Sequence, residues 1–290
     1  MLILALVFAV ALVIAESRAR GLAASSRIGG GAPRQAPLNR LGKWSGLALV
    51  VPAAVRTAAL VVPGATLAEW LLAAGPRWDP ARWVSALGST IWLSVAAALA
   101  STAAALPLGV LAARYRDRAT RTLEGASYVA HGLPSVVIAI SMVSLGVLLL
   151  RPIYQREPLL ILAYTVLFVP LAIGSVRAAV EAAPVRLEEV ARSLGRAPLR
   201  AFGTVTARVA LPGIAAGAAL VLLTCMKELP VTLLLHPTDT DTLATRLWGY
   251  SSVSDYAAAA PYAAALLVFA AVPTAVLGMW STAAGGVRSD

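Results

Sequence analysis

The sequence predicts an all-α integral membrane protein with about six or seven transmembrane helices, and three observations carry that. Of 290 residues, 59% are hydrophobic and only 13% charged, and the mean hydropathy of +0.79 is far above that of a soluble domain. Apolar runs close to the ~20 residues needed to cross a bilayer core recur between short polar breaks. Lysine and arginine collect in alternate breaks, as topology in a membrane requires. The net charge of +10 could suggest nucleic acid, but no span-free basic domain exists to bind it. Cys225 stands alone, so no internal disulfide forms, and one thiol cannot build a metal site. His131 and His236 are separated by several predicted crossings. No catalytic residue, metal site or resident cofactor is therefore expected.

In chain order, Met1 to Ala15 reads as a leading transmembrane helix, somewhat short. Its charges follow the apolar run instead of preceding it, the wrong order for a secretory signal. Residues 16–44, rich in Gly, Ser, Pro and Arg, form a flexible cytoplasmic linker without an apolar face. Residues 45–290 make the main transmembrane domain. Its first span, from about Trp44 to Ala74, is interrupted by Pro52, Arg56 and Pro63; Arg56 snorkels or faces the bundle interior. A polar break from Pro76 to Trp83 puts Trp78 and Trp83 at interface depth. Val84 to Ala113 is rich in Ala, Ser, Thr and Gly, so its small face belongs inside the bundle, with Ser94, Ser101 and Thr102. Arg114 to Gly125 is a polar loop. Ser127 to Leu150 is the next span, interrupted at Gly132-Leu133-Pro134, and Leu159 to about Arg177 follows with Pro170 inside it. Leu211 to Leu235 and Ala257 to Ala283 are the last two spans, joined by the polar connection His236 to Tyr256.

The longest polar island after residue 44 is a hairpin over residues 177–210. Pro184 suits a helix's first turn, and Leu187, Val190/Ala191 and Leu194 then recur at i, i+3/i+4, i+7 as one apolar stripe. Glu188, Glu189, Arg192 and Arg196 lie off that stripe, the acids each within reach of an arginine. Gly195 sits where a residue with positive φ would end the helix, and Pro198 restarts the chain toward a turn holding Leu199 and Phe202. Such a helix lies on lipid headgroups or docks against a protein. A second unusual stretch is Lys227-Glu228-Leu229-Pro230 within an apolar run. Each charge costs about 2.5–3.5 kcal/mol at a span centre, and Pro230 frees a carbonyl one turn earlier. Lys227, Glu228 and Pro230 therefore line a translocation pathway, or the charges pair with a neighbouring span, for example at Arg56.

The segment Glu189-Val190-Ala191-Arg192-Ser193-Leu194-Gly195 resembles the E-A-A-x3-G signature of permease subunits of binding-protein-dependent ABC importers. The family's later I-x-L-P element is altered. Val205 holds the Ile slot, Ala207-Arg208 stands where Leu-Pro is usual, and Leu211-Pro212 comes four residues late. Lys227 to Leu235 with Asp241 to Arg246, K-E-L-P-x-T-L-L-L and D-T-L-A-T-R, is similar to the ferric-iron type, with permeases for polyamines, thiamine and phosphonates as relatives; the resemblance covers roughly residues 84–280. It implies a type I importer permease fold whose cytoplasmic coupling helix meets an ABC ATPase subunit. Leu187, Ala191 and Leu194 are its apolar anchors, Glu188, Glu189 and Arg192 its polar contacts, and Gly195 its stop.

The same resemblance implies a second permease half, homo- or heterodimeric, an extracytoplasmic solute-binding protein, and ATP bound by the partner subunit. Consistently, neither Lys43 nor Lys227 follows a G-x-x-x-x-G loop. Met1 to Arg20 resembles the last span of a preceding half, as in a separately encoded half or a chain lacking its front portion. A cytoplasmic hairpin in a seven-span chain puts the N-terminus outside and the C-terminus inside. Only Arg77, Arg82, Arg151, Arg156 and Arg246 then fall outside, and 17 basic residues fall inside. The competing function is an ion-coupled secondary transporter; a non-transporting scaffold is the third.

Overall fold

The computed structural model describes residues 45–74, 79–115 and 117–286. The expected leading helix over 1–15 and linker over 16–44 lie outside the described residues, as do Trp78 and the side chains of Arg56 and His131. The chain divides into two units, Met1–Arg56 and Thr57–Asp290. The described part of the first unit is the opening of helix α1 (Ser45–Ala74), with Leu49, Val50, Val51 and Val55 exposed. Pro52 and Pro63 do not interrupt α1, contrary to the sequence expectation. Its apolar stretch Leu49–Ala73 is long enough to cross a membrane.

The second unit is built on α2 (Pro80–Arg114), α5 (Glu157–Glu181) and α8 (Ala207–Met226). Asp79 caps α2, its Oδ1 accepting from the amides of Ala81 and Arg82 at 3.0 and 3.2 Å. Helix α5 is the centre, with Leu159, Leu160, Ile173, Val176 and Val180 all buried. Small residues let its neighbours approach: Gly213 and Gly217 of α8, four apart on one face, meet Ala179 and Ser175 of α5. On α2 the buried stripe includes Ser94, Ala97, Ala98, Ser101 and Ala105, as expected. The hydroxyls of Ser101 and Thr102, however, have no hydrogen-bond partner among the described residues.

Between α2 and α5 the chain departs from the expected loop-and-span. The stretch after Arg114 is largely helical: α3 (Arg118–His131) begins where Asp117 Oδ1 accepts from the Thr120 amide at 2.9 Å. Hydrogen bonds from Thr120 hold the Asp117 carboxyl below the usual carboxylate range. Helix α4 (Ser135–Leu148) then follows Gly132-Leu133-Pro134, where proline both lacks an N–H and drives the preceding residue out of helical geometry. Neither 14-residue helix alone spans a ~30 Å core at 1.5 Å per residue.

The hairpin contains α6 (Val185–Ser193) and α7 (Pro198–Ala201), followed by a π-turn at Phe202–Thr206 that feeds directly into α8. With Ala207-Arg208 in place of Leu-Pro, nothing breaks the chain there, and Pro212 lies inside α8. The expected single span from Leu211 to Leu235 is instead split. Helix α8 ends at Met226, and α9 (Pro230–Leu235) starts after Lys227-Glu228-Leu229, because Pro230 cannot donate to continue the ladder.

The expected polar connection 236–256 holds a further helix, α10 (Leu243–Ser252), started by reciprocal capping between Thr242 and Thr245. The Leu243 amide donates to Thr90 Oγ1 at 2.8 Å, tying α10 to α2, and Leu243 packs with Ala86 and Tyr262. Helix α11 (Tyr256–Gly286) closes the unit.

Candidate functional site

Helix α6 is nine residues long and ends as its sequence requires. Gly195 has φ of 84°, its amide donates to the Arg192 carbonyl at 2.9 Å, and the Arg196 amide reaches back to the Ala191 carbonyl at 3.2 Å. This pair of bonds closes the helix with a left-handed residue that glycine adopts without penalty.

The face that α6 turns toward the bundle leaves most of the apolar stripe outside it. Ala191 is buried, but Leu187 and Val190 are about half exposed and Leu194 is 79% exposed. Beside Ala191 the buried residue is Glu188, at 6%. Glu188, which lies off the apolar stripe in the sequence, is thus packed against the bundle. The cause is Arg114, the last residue of α2, which spacing within the hairpin cannot reveal. Arg114 Nη2 donates to Glu188 Oε2 at 3.1 Å and to Thr206 Oγ1 at 3.0 Å. Thr206, in the π-turn and fully buried, donates to the same Glu188 Oε2 at 2.8 Å. Arg192 Nη2 completes the set on Oε1 at 2.7 Å.

A carboxylate buried with its counter-charge and three donors is satisfied; removing one partner of such a pair costs about 3–5 kcal/mol. Arg192 is half exposed, so its bond is screened and worth less than that from Arg114. Glu189 makes no ion pair among the described residues, and Arg196 bonds instead to Thr204 Oγ1 at 2.8 Å. Glu189 and Arg192 border a cavity of about 470 Å³ between the end of α2, α6 and α7. Leu199, on the next turn, is 87% exposed. Sequence reasoning missed Arg114 and Thr206, whose only signal is that one ends a span and the other starts the next.

The second candidate stretch lies well apart from the hairpin, beyond the far end of α8. Lys227 is exposed, and Glu228 is half-buried among Thr90, Leu93, Tyr164, Cys225, Met226 and Thr242, which leave no room for a water between them. Glu228 Oε1 accepts a long bond from the Val231 amide at 3.4 Å, which occupies the first turn of α9. The Glu228 carbonyl accepts from Thr232 Oγ1, and Thr232 in turn bonds Tyr164 of α5. Neither Lys227 nor Glu228 forms an ion pair among the described residues; a pair with Arg56 lies outside them. The described residues hold no cluster of three metal-ligating side chains.

The profile of the binding-protein-dependent transport system inner membrane components matches residues 105–283, which takes in both candidate stretches. The chain belongs to this family. It is thus a multi-pass inner-membrane component, in keeping with its apolar helices. It is 37% identical over 219 residues to the Fe(3+)-transport system permease protein FbpB 2 of Haemophilus influenzae, covering 74% of this chain and 43% of that one. It is 32% identical over 135 residues to the molybdate/tungstate transport system permease protein WtpB of Pyrococcus abyssi, covering 47% and 53%. This inner-membrane component therefore spans about half the length of those curated relatives.

Among solved structures, the MetNI methionine ABC transporter in an inward-facing conformation superposes with a TM-score of 0.58 at 17% identity, over 71% of this chain and 98% of that one. A bacterial ABC transporter that imports alginate gives 0.57 at 17% identity, over 81% and 94%. At that identity the likeness establishes the fold, an ABC importer permease fold, and nothing about solute.

Proposed function

We propose that this chain is the transmembrane permease subunit of an ATP-driven ABC importer and forms part of the pathway for a solute delivered by an external binding protein. The observation that carries the reading is the hairpin. A short helix held from within by a buried carboxylate turns Leu187, Val190 and Leu194 outward, and Leu199 beside them is bare. Such a face needs a partner, and charges at its margin, Glu189 and Arg192, suit a protein groove. An ATPase subunit on the cytoplasmic side is that partner, with ATP hydrolysis on the ATPase and none on this chain. The skew of basic residues supports a cytoplasmic hairpin, an external N-terminus and an internal C-terminus. A second permease half, identical or not, completes the bundle.

Ferric iron is the solute we favour, supported by the extent of the match to the ferric-iron permease. A tetrahedral oxyanion is the second reading, supported by the molybdate/tungstate relative. Lys227, Glu228 and Pro230 mark the pathway side of the bundle, where α8 breaks. Co-purification tests the reading directly. The chain recovers its ATPase from the membrane, and Leu194→Glu with Leu199→Glu, both at exposed positions, lowers that recovery by about tenfold or more. Unchanged recovery overturns it. Uptake of ferric iron against molybdate in the assembled transporter decides the solute, and uptake unaffected by Glu228→Gln removes that residue from the pathway.

A further inference from the structure

We infer that Arg114, Glu188 and Thr206 form a directional joint that carries motion of the hairpin into the transmembrane helices; the inference rests on the importer reading. The three residues come from separate segments: the end of α2, the middle of α6, and the π-turn that begins α8. Their three mutual bonds form a closed triangle, with distances of 3.1, 3.0 and 2.8 Å. Apolar contacts slide at little cost, whereas charge-assisted hydrogen bonds hold both distance and angle. Beneath α6 the other seated side chain is Ala191, which offers only van der Waals contact.

A push on the exposed face of α6 is therefore resisted first at Glu188. From there it reaches two helices at once, α2 through Arg114 and α8 through Thr206. Both pack on α5 through small residues, so they transmit displacement instead of absorbing it by bending. Arg114 sits at the C-terminal end of α2, where a cation also complements the helix dipole, and α6 is thereby anchored to α2. Arg114 and Thr206 are positioning residues, acting through Glu188.

The test measures ATP hydrolysis and solute uptake side by side in the reconstituted complex. Arg114→Gln removes the charge, Thr206→Val removes one hydroxyl at nearly constant volume, and Arg114→Lys restores a charge. In Arg114→Gln and Thr206→Val the ATPase still co-purifies and still hydrolyses ATP. Solute moved per ATP falls by about tenfold in Arg114→Gln, within the usual size of a coupling between sites. The fall is smaller in Thr206→Val, and Arg114→Lys recovers part of the loss. An unchanged ratio in Arg114→Gln and Thr206→Val overturns the joint. So does a parallel fall in hydrolysis and uptake, or loss of the ATPase from the complex, since those mark a docking or folding role. A wild-type chain that recovers no ATPase sinks the importer reading itself, a separate result.

Discussion

Glu188 and Gly195 do their work through opposite properties of a residue. Glu188 is costly to bury and is tolerated because Arg114, Thr206 and Arg192 supply donors to both its oxygens. Gly195 is cheap because it has no Cβ: at φ of 84° any L side chain is strained, although a Cβ there would meet nothing within 4 Å. The cost of Gly195→Val is thus a backbone cost alone, about 1–2 kcal/mol. It should appear as faster hydrogen exchange at the Gly195 and Arg196 amides, with the exchange of α5 unaltered. The position of Gly195 was legible from spacing and residue type because a helix stop is a local event. The burial of Glu188 was not, because its partners lie 74 and 18 residues away in sequence.

Among the elements, α9 shows how a short helix is held in an apolar bundle. The single hydrogen of Thr232 goes to the Glu228 carbonyl four residues back, so Tyr164 is the donor to Thr232. That chain of bonds fastens the break in α8 to the central helix. Thr232→Val leaves the buried Tyr164 hydroxyl without an acceptor, at a cost of about 1–3 kcal/mol. Cys225, buried one turn before the break and the chain's lone thiol, reports the change. Maleimide labelling in detergent should be slow in the wild type and faster in Thr232→Val. In the double variant Tyr164→Phe with Thr232→Val it should return toward the wild-type rate. Equal labelling in all three would show that the bonds do not fasten α9. The break at Pro134 could be read from the chain, but the split of the span at Pro230 and the helix α10 could not. Its capping threonines sit in a stretch too polar to look like a packed element, and burial of Leu243 against α2 is what stabilises it.

At the scale of the whole molecule, α2, α5 and α8 form the core of the second unit because their backbones come close. A Cβ at Gly217 would overlap Ser175 of α5, whereas one at Gly88 of α2 would meet nothing within 4 Å. Gly217→Leu should lower the thermal midpoint in detergent, an overpacking cost of about 1–3 kcal/mol, and Gly88→Leu should leave it unchanged or raise it. Equal midpoints would mean that the α5–α8 interface is looser than its geometry. By itself the sequence determined the membrane class, the approximate spans, the amphipathic helix of the hairpin and its glycine stop. All of these follow from hydropathy and local backbone preference, which act over a few neighbouring residues. Only the tertiary structure decided that α6 seats on a buried acid, that the polar loop after Arg114 becomes a helix, and that residues from the end of α2 and the π-turn before α8 meet beneath the hairpin. Those outcomes depend on which distant groups become neighbours in a medium where a charge or a polar group must find its partner within the protein.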